Sequence, residues 1–249
     1  MADLIYVFGI TKKDSDDGIS HDGMTAITTT VSASDFGEES IETNMKNIDW
    51  LTKRVVWHQE NLNKWAMISD VIPFKFGSIF RSEKRVQEMI IDRATEFQTI
   101  FQKISGREEW GVKLFYQKDK VTSWLTKNDH GLLEKAEEMA RSSPGKAFML
   151  KKKYEQHIKD CIKELINSAR EQIYHMIKQL SVEVLLLNEQ VSELTHHEGV
   201  NALNASLLLD KGTADEFTKK CNLMHDDLFD KGLQLEYSGP WPPYNFTTL

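Results

Sequence analysis

An uninterrupted helical stripe of apolar residues constrains the fold of this chain more than any other feature. Between Tyr154 and Leu180, apolar residues recur every three or four positions, with a mean spacing of about 3.7 residues. This spacing predicts one straight helix with a single apolar face and not a heptad supercoil. Pro144 suits the first turn of the helix. The stripe consists of Tyr154, Ile158, Cys161, Leu165, Ala169, Ile173, Met176 and Leu180.

The segments around this helix alternate between the periods of strands and helices. Two-residue alternation predicts strands, three-to-four-residue spacing predicts helices, and Thr213 with Glu216 forms a predicted capping box. The resulting order is the βαββαβ order of a ferredoxin-like domain, with extra helix in the first crossover. The predicted elements are a strand over 109–117, helical segments over 121–141 (with a break at 129–131) and from Pro144 to Leu180, strands over 182–187 and 205–209, a helix ending at Gly232, and a strand over 233–237.

The first hundred residues predict a second α+β unit. Residues 4–10 and 24–31 are β-rich and predict an antiparallel pair of strands. An amphipathic helix of about seven turns is predicted from residue 40 to Trp65, and another from the N-cap Ser82 to Gly106. Between them, 70–80 predicts an edge or irregular strand broken by Pro73 and Gly77. We therefore predict an α+β protein of two domains: 1–107, a small antiparallel sheet with helices, and 108–249, ferredoxin-like with an extended helical insertion.

Three aromatic or imidazole side chains of the first predicted helix are candidates for function. His58 lies on the apolar stripe, where a core histidine with one satisfied nitrogen is favoured over a metal ligand. Trp50 and Trp57 are seven residues apart and lie off that stripe. They either cover a second packed surface or are exposed for a partner.

The charge and hydropathy of the chain argue against several classes of partner. With 31 basic and 38 acidic residues, the net charge is −7, which disfavours nucleic acid and anionic membranes as partners. No apolar run approaches the ~20 residues of a membrane-spanning helix, and the short run near the N-terminus lacks a preceding basic residue. We expect a soluble intracellular protein in which Cys161 and Cys221 are buried, reduced thiols.

Motifs for catalysis or cofactor binding are weak. Gly145-Lys146 lacks the other residues of a phosphate-binding loop, because Ala140 and Ala147 occupy the required positions. Adjacent His196 and His197 point to different faces, so a solvated loop is favoured over a metal site. There is no Gly-x-Ser-x-Gly motif. We predict no catalytic residue, cofactor or metal.

The terminal segment SGPWPPYNF, residues 238–246, is proline-rich and aromatic. It holds three of the five prolines of the chain. Gly239 permits a turn, and the prolines stiffen the chain beyond it. Two interpretations follow. The segment is either a clasp, in which aromatic side chains anchor it across its own fold, or a peptide ligand for a partner, and we favour the clasp. The anchoring side chains would be Trp241, Tyr244 and Phe246.

Four segments together resemble the signature blocks of the gas vesicle GvpF/GvpL family. They are VIPFKFGSIF (71–80), EEWGVKLF (108–115), GKAFMLKKK (145–153) and the terminal SGPWPPYNF, and ASLLLDKGTADEF (205–217) matches a further block. Lys75 and Phe148 depart mildly from the family pattern, in which arginine and tyrosine are frequent at these two positions. The family-motif residues are His58, Pro73, Phe76, Gly77, Trp110, Gly111, Gly239, Pro240, Trp241, Pro242, Pro243, Tyr244 and Phe246.

The resemblance implies a function that spacing alone does not. It implies a non-enzymatic, minor structural or assembly component needed to form gas vesicles, the hollow protein shells that give some prokaryotes buoyancy. The implied partners are the hydrophobic major shell protein and other accessory proteins, the implied location is the gas vesicle inside the cell, and no cofactor is implied. The alternative is a small-molecule-binding regulator on ferredoxin-like domains; the oligomeric state is left open.

Overall fold

The computed structural model describes residues 3–15, 18–188 and 199–247, which form two compact units. One unit contains residues 1–109 together with 240–249, and the other contains 110–239. The terminal segment therefore groups with the first unit, whereas the sequence-based bounds, 1–107 and 108–249, assign it to the second. As a statement about independently folding domains, those bounds remain a prediction.

The first unit is built on an antiparallel sheet whose central strand is buried on both faces. The strand order is β2-β3-β1-β4, and β5 also pairs with β1. The predicted pair 4–10 and 24–31 is confirmed, with Leu4 opposite Val31 and Thr11 opposite Thr25. The strands are β1 (Asp3–Thr11), β2 (Ile19–His21), β3 (Met24–Ser32), β4 (Val71–Pro73) and β5 (Ile79–Phe80).

Among the described residues of this unit, five α-helices accompany the sheet, and two predicted continuous helices are each divided. The first is interrupted at 45–47, where Asn47 caps the following helix by accepting from the amides of Asp49 and Trp50. The second is interrupted at Arg93, whereas its predicted N-cap, Ser82, is confirmed. The helices are α1 (Ala33–Phe36), α2 (Glu38–Asn44), α3 (Ile48–Ala66), α4 (Glu83–Asp92) and α5 (Ala94–Ile104).

The two faces of β1 enter two separate cores, and a register irregularity between Val7 and Gly9 interrupts the alternation of its side chains. Val7 and Ile10 pack with the apolar residues of α4 and α5. Tyr6 and Phe8 pack with residues from α1 and α3. Burial on both faces explains why β1 is a continuous apolar run instead of an alternating one.

The second sheet has the predicted ferredoxin-like topology. Its order is β7-β8-β6-β9, so the first strand lies between the third and the fourth. Together with two sheets and long helices, this order confirms the α+β fold class. The elements are β6 (Arg107–Tyr116), α6 (Lys118–Asn128), α7 (His130–Ala140), α8 (Pro144–Leu180), β7 (Glu183–Leu186), β8 (Val200–Asp210), α9 (Ala214–Phe229) and β9 (Leu233–Trp241).

Three local predictions in this part of the chain were wrong or incomplete. The Thr213 hydroxyl does not cap α9; it donates to the Asp210 carbonyl at 2.8 Å, within a 3₁₀ turn that precedes the helix. β8 begins at Val200, earlier than predicted, and the His196-His197 pair lies outside the described residues. β9 continues through Gly239 to Trp241, so no turn begins at Gly239. Within the described ranges, no helix combines the length and the hydropathy that a membrane crossing requires.

Candidate functional site

A hydrogen-bonded network centred on His58 lies in the core of the first unit. His58, on α3, is only 3% exposed. Its Nδ1 lies 2.9 Å from the hydroxyl of Tyr6 on β1, and its Nε2 lies 3.1 Å from the hydroxyl of Tyr244 in the terminal segment. The prediction of a core histidine is confirmed, but both ring nitrogens have partners, where one was expected.

The donors and acceptors around His58 assign its tautomer. The amide of Gly77 donates to the Tyr6 hydroxyl at 3.0 Å. We assign the Tyr6 proton to the bond with Nδ1 of His58, which places the ring proton on Nε2. Nε2–H donates to Tyr244, whose hydroxyl donates to Gln59 Oε1 at 3.4 Å. The hydrogen bonds of the network thus all point the same way, from the backbone N–H of Gly77 to the side-chain oxygen of Gln59.

Burial keeps every ring of this network neutral. It lowers the pKa of His58 to about 4, although the nearby Phe74 carbonyl partly opposes the shift. Burial also raises the pKa of Tyr6 to about 12, partly offset by the bond from Gly77, and it raises the pKa of Tyr244. At neutral pH the imidazole and both phenols are uncharged. Such a network stabilises a packed core and has no group poised for proton transfer near pH 7.

Trp50 and Trp57 pack into the aromatic cluster that surrounds this network. The Trp57 ring lies 4.9 Å from that of Tyr6 and 4.8 Å from that of Phe8. The Trp50 indole N–H donates to Asp35 at 2.7 Å. Both tryptophans are half-buried, so they line a second packed face of α3 while part of each ring stays accessible. The aromatic cluster comprises Tyr6, Phe8, Phe36, Trp50, Trp57, His58 and Phe76.

The terminal residues 242–247, here called the tail, are anchored on the first unit. Both the amide and the side-chain NH₂ of Asn245 donate to the carboxylate of Glu109, at 2.9 and 2.6 Å. Phe246 is 3% exposed, and the Lys103 ammonium lies 5.4 Å from its ring centroid. With the Tyr244 hydroxyl on His58, these contacts make the tail a clasp on its own fold, as predicted for Tyr244 and Phe246.

A cleft of about 690 Å³ lies between the tail and the β4–β5 segment of the first unit. Its wall is formed by three stretches of the chain: the β4–β5 segment, the C-terminal end of α4 and the tail. Gly77 lies at the turn between β4 and β5, and its φ of 84° is a conformation that other residues adopt only with strain. The cleft is lined by Pro73, Phe74, Lys75, Gly77, Ser78, Ile79, Phe80, Met89, Arg93, Tyr244, Asn245 and Thr247.

The other motif residues lie outside this site. Trp110 is buried in the core of the second unit, with its ring 5.3 Å from that of Phe217. A Cβ on Gly111 would lie 3.1 Å from the Ser238 hydroxyl. Gly239, Pro240 and Trp241 form the end of β9, and Trp241 is 42% exposed. The structure thus brings His58, Pro73, Phe76, Gly77, Pro242, Pro243, Tyr244 and Phe246 together within the first unit.

Sequence reasoning missed three residues of the site. Tyr6 had a signal, because it is the aromatic hydroxyl within a strand of otherwise apolar residues, and buried tyrosines need a partner. Glu109 is 6% exposed and lies on the face of β6 opposite Trp110 and Val112, and a buried carboxylate needs hydrogen-bond donors. Asn245 had no signal, since its role depends on where the tail lies.

Both the sequence and the fold of this chain are similar to those of known proteins. Residues 4–248 match the family described as "Gas vesicle synthesis protein GvpL/GvpF". The chain belongs to the GvpL/GvpF family. This is a family of gas vesicle structural and assembly proteins and is not known to be enzymatic. Membership supports a role related to gas vesicles and confirms the resemblance seen in the motif segments.

Individual GvpL/GvpF relatives have low sequence identity to this chain, but they align with most of its length. Gas vesicle protein L of Streptomyces sp. is 22% identical over 235 residues, which covers 93% of this chain and 82% of that protein. Gas vesicle protein F of Nostoc sp. is 22% identical over 204 residues, covering 79% and 78%. The crystal structure of GvpF from Anabaena sp. PCC7120 superposes with a TM-score of 0.70 at 17% identity, covering 99% of this chain and 98% of that one. GvpF from Microcystis aeruginosa gives a TM-score of 0.68.

Proposed function

We propose that this protein is a minor structural or assembly component needed for gas vesicle formation, and hence for buoyancy, inside a prokaryotic cell. In this proposal the first unit binds the hydrophobic major shell protein, and other accessory gas vesicle proteins bind elsewhere. The observation that carries it is that the motif segment 71–80 and the tail, which contains the end of the terminal motif, line one cleft. The family indicates the class of partner, and the cleft is the binding site that we propose for that partner.

The chemistry of the cleft suits a short apolar segment of a shell subunit. Ile79, Phe80 and Met89 are half-buried there and offer apolar surface that remains accessible. Such a surface can shield a hydrophobic segment before it packs into a shell. Lys75 lies exposed at the rim, so an acidic residue flanking the segment would be favoured.

The accessible parts of Trp50 and Trp57 are a second proposed contact. Both side chains also stabilise the fold, so the test requires a folded variant. Trp50→Ala and Trp57→Ala are expected to weaken co-purification with the shell protein. Unchanged co-purification by variants that retain the circular dichroism of the wild type would remove both residues from the interface.

The main test places a charge in the cleft. Met89→Arg is expected to reduce capture of the purified shell protein at least tenfold, because an unpaired guanidinium would be buried against an apolar segment. The matched control is Met67→Arg, since Met67 is 85% exposed and does not line the cleft. Equal capture by both folded variants would overturn the proposed docking site.

The same protein can be tested for the regulatory alternative. A cleft of this volume also falls within the range of small-molecule sites. A thermal-shift screen against nucleotides and metabolites distinguishes the two functions, because a ligand of the native state raises its melting temperature. Reproducible stabilisation by several degrees, lost in Met89→Arg, would favour the regulator over the shell-binding protein.

A further inference from the structure

Three side chains with metal-binding chemistry meet in the second unit. They are Asp129, at the junction of α6 and α7, and His157 and Cys161, one turn apart on α8. One ligand atom from each lies within 4.8 Å of the other two. Residues four apart on a helix share a face, so α8 presents the imidazole and the thiol side by side.

The hydrogen bonds of these three side chains leave their metal-ligating atoms available. Asp129 Oδ1 accepts from the Leu132 amide at 2.8 Å, which fixes the orientation of the carboxylate as the N-cap of α7. In the part of the chain that the structure describes, neither Asp129 nor His157 forms an ion pair. Cys161 is buried and has no disulfide.

Gly131 keeps the approach to the cluster free of a side chain. A Cβ at this position would lie 3.4 Å from both Asp129 Oδ1 and His157 Nε2. These two atoms therefore face the same small space beside the backbone of α7. The negative charges that act on the Cys161 sulfur are those of Asp129, Glu164 and Asp160, and the positive charge is that of Lys135. Negative charge therefore predominates around the sulfur, and this favours a cation.

We propose that Asp129, His157 and Cys161 form a zinc site that fastens the α6–α7 junction to α8. Thiolate, imidazole and carboxylate are the three ligand types of Zn²⁺ in proteins, at bond lengths of about 2.0–2.3 Å. Ligand atoms now within 4.8 Å need side-chain movements on the order of 1 Å to reach one ion. Cys161 binds as the thiolate, its proton passes to solvent, and water completes a tetrahedral shell. The Leu132 amide orients the carboxylate from outside the shell, as outer partners of metal ligands do.

The test uses Co²⁺ as a spectroscopic substitute for Zn²⁺ in the chelator-treated full chain at mildly alkaline pH. We expect one Co²⁺ per chain with a thiolate-to-cobalt charge-transfer band and the intense visible bands of a tetrahedral site, both displaced by Zn²⁺. Zn²⁺ is also expected to raise the melting temperature. A site made only of histidines, such as one at His196-His197, gives no thiolate band and is thereby distinguished.

Matched variants assign the ligands. Cys161→Ser is expected to abolish the charge-transfer band, whereas Cys221→Ser, which changes the other buried thiol, is expected to retain it. His157→Gln alters a half-buried side chain with little effect on folding and is expected to weaken Co²⁺ binding at least tenfold. Absence of a thiolate band in the wild type, its persistence in Cys161→Ser, or unchanged affinity in folded His157→Gln would each overturn the proposal.

Discussion

At the scale of single residues, the most informative side chain is His58. The position of His58 on an apolar stripe predicted burial correctly. The stripe could not reveal that both nitrogens are bonded, because Tyr6 and Tyr244 lie 52 and 186 positions away in sequence. Partners this distant are brought together only by the tertiary fold. The pattern of a single helix therefore identifies a buried polar group without identifying what satisfies it.

The burial of His58 makes stability depend on pH. Its pKa is lowered from 6.5 to about 4 in the folded protein, so below pH 6.5 the unfolded chain takes up a proton there that the folded chain does not. The free energy of unfolding is expected to fall as the pH drops from 6.5 to 4, by on the order of 3 kcal/mol from this group. Urea unfolding across this range measures it.

The control for this pH dependence is His58→Gln. The variant is less stable at pH 7, but it lacks the proton uptake at this position. Its free energy of unfolding should therefore decline less steeply between pH 6.5 and 4 than that of the wild type. Parallel pH profiles for the two proteins would show that His58 is not the group responsible.

At the scale of elements, the pairing and order of the long strands followed from the sequence more closely than the boundaries of the helices and of β8 and β9. The pairs 4–10 with 24–31 and the ferredoxin-like order were predicted because alternation and β-branched runs mark strands directly. Ile41, Met45 and Ile48 kept a helical spacing across the break before α3, so periodicity predicted one helix. The cap at Asn47 ends that continuity, and a polar residue between apolar ones was too weak a signal to reveal it.

The stabilising effect of the Asn47 cap can be tested by comparing its loss with the loss of Thr213, which caps no helix amide. Asn47→Ala removes the acceptor for the amides of Asp49 and Trp50, at 3.1 and 3.2 Å, and should cost about 1 kcal/mol of unfolding free energy. Thr213→Ala removes a side chain at the equivalent position of α9 that caps no amide. Its cost should be clearly smaller by the same urea titration. A larger loss in Thr213→Ala would contradict the assignment of the two caps.

At the scale of the whole molecule, the tail is the segment whose place the sequence could not supply. Its prolines and aromatic residues predicted a clasp, but no local pattern specified Glu109, Lys103 or His58 as its contacts. These contacts belong to residues more than a hundred positions earlier. The family resemblance predicted the fold class and the general role, because both follow from the chain as a whole.

Deleting residues 242–249 tests the clasp. The truncation leaves β9 intact, but it removes the two Asn245 hydrogen bonds to the Glu109 carboxylate and exposes the surface beneath Phe246. The loss of these two hydrogen bonds and of an aromatic anchor together should lower the melting temperature by roughly 5–10 °C. The matched control, deletion of 248–249 alone, should stay close to the wild type. Equal stability of both truncations would refute the clasp and favour a ligand role for the tail.

The position of Pro240 has a consequence for strand pairing at the edge of the second sheet. β9 is the edge of the second sheet, and Pro240 lies near its end. Proline has no amide hydrogen, so an incoming strand finds no donor at that position. The edge of the second sheet is therefore one backbone donor short for any further strand that would pair with the end of β9.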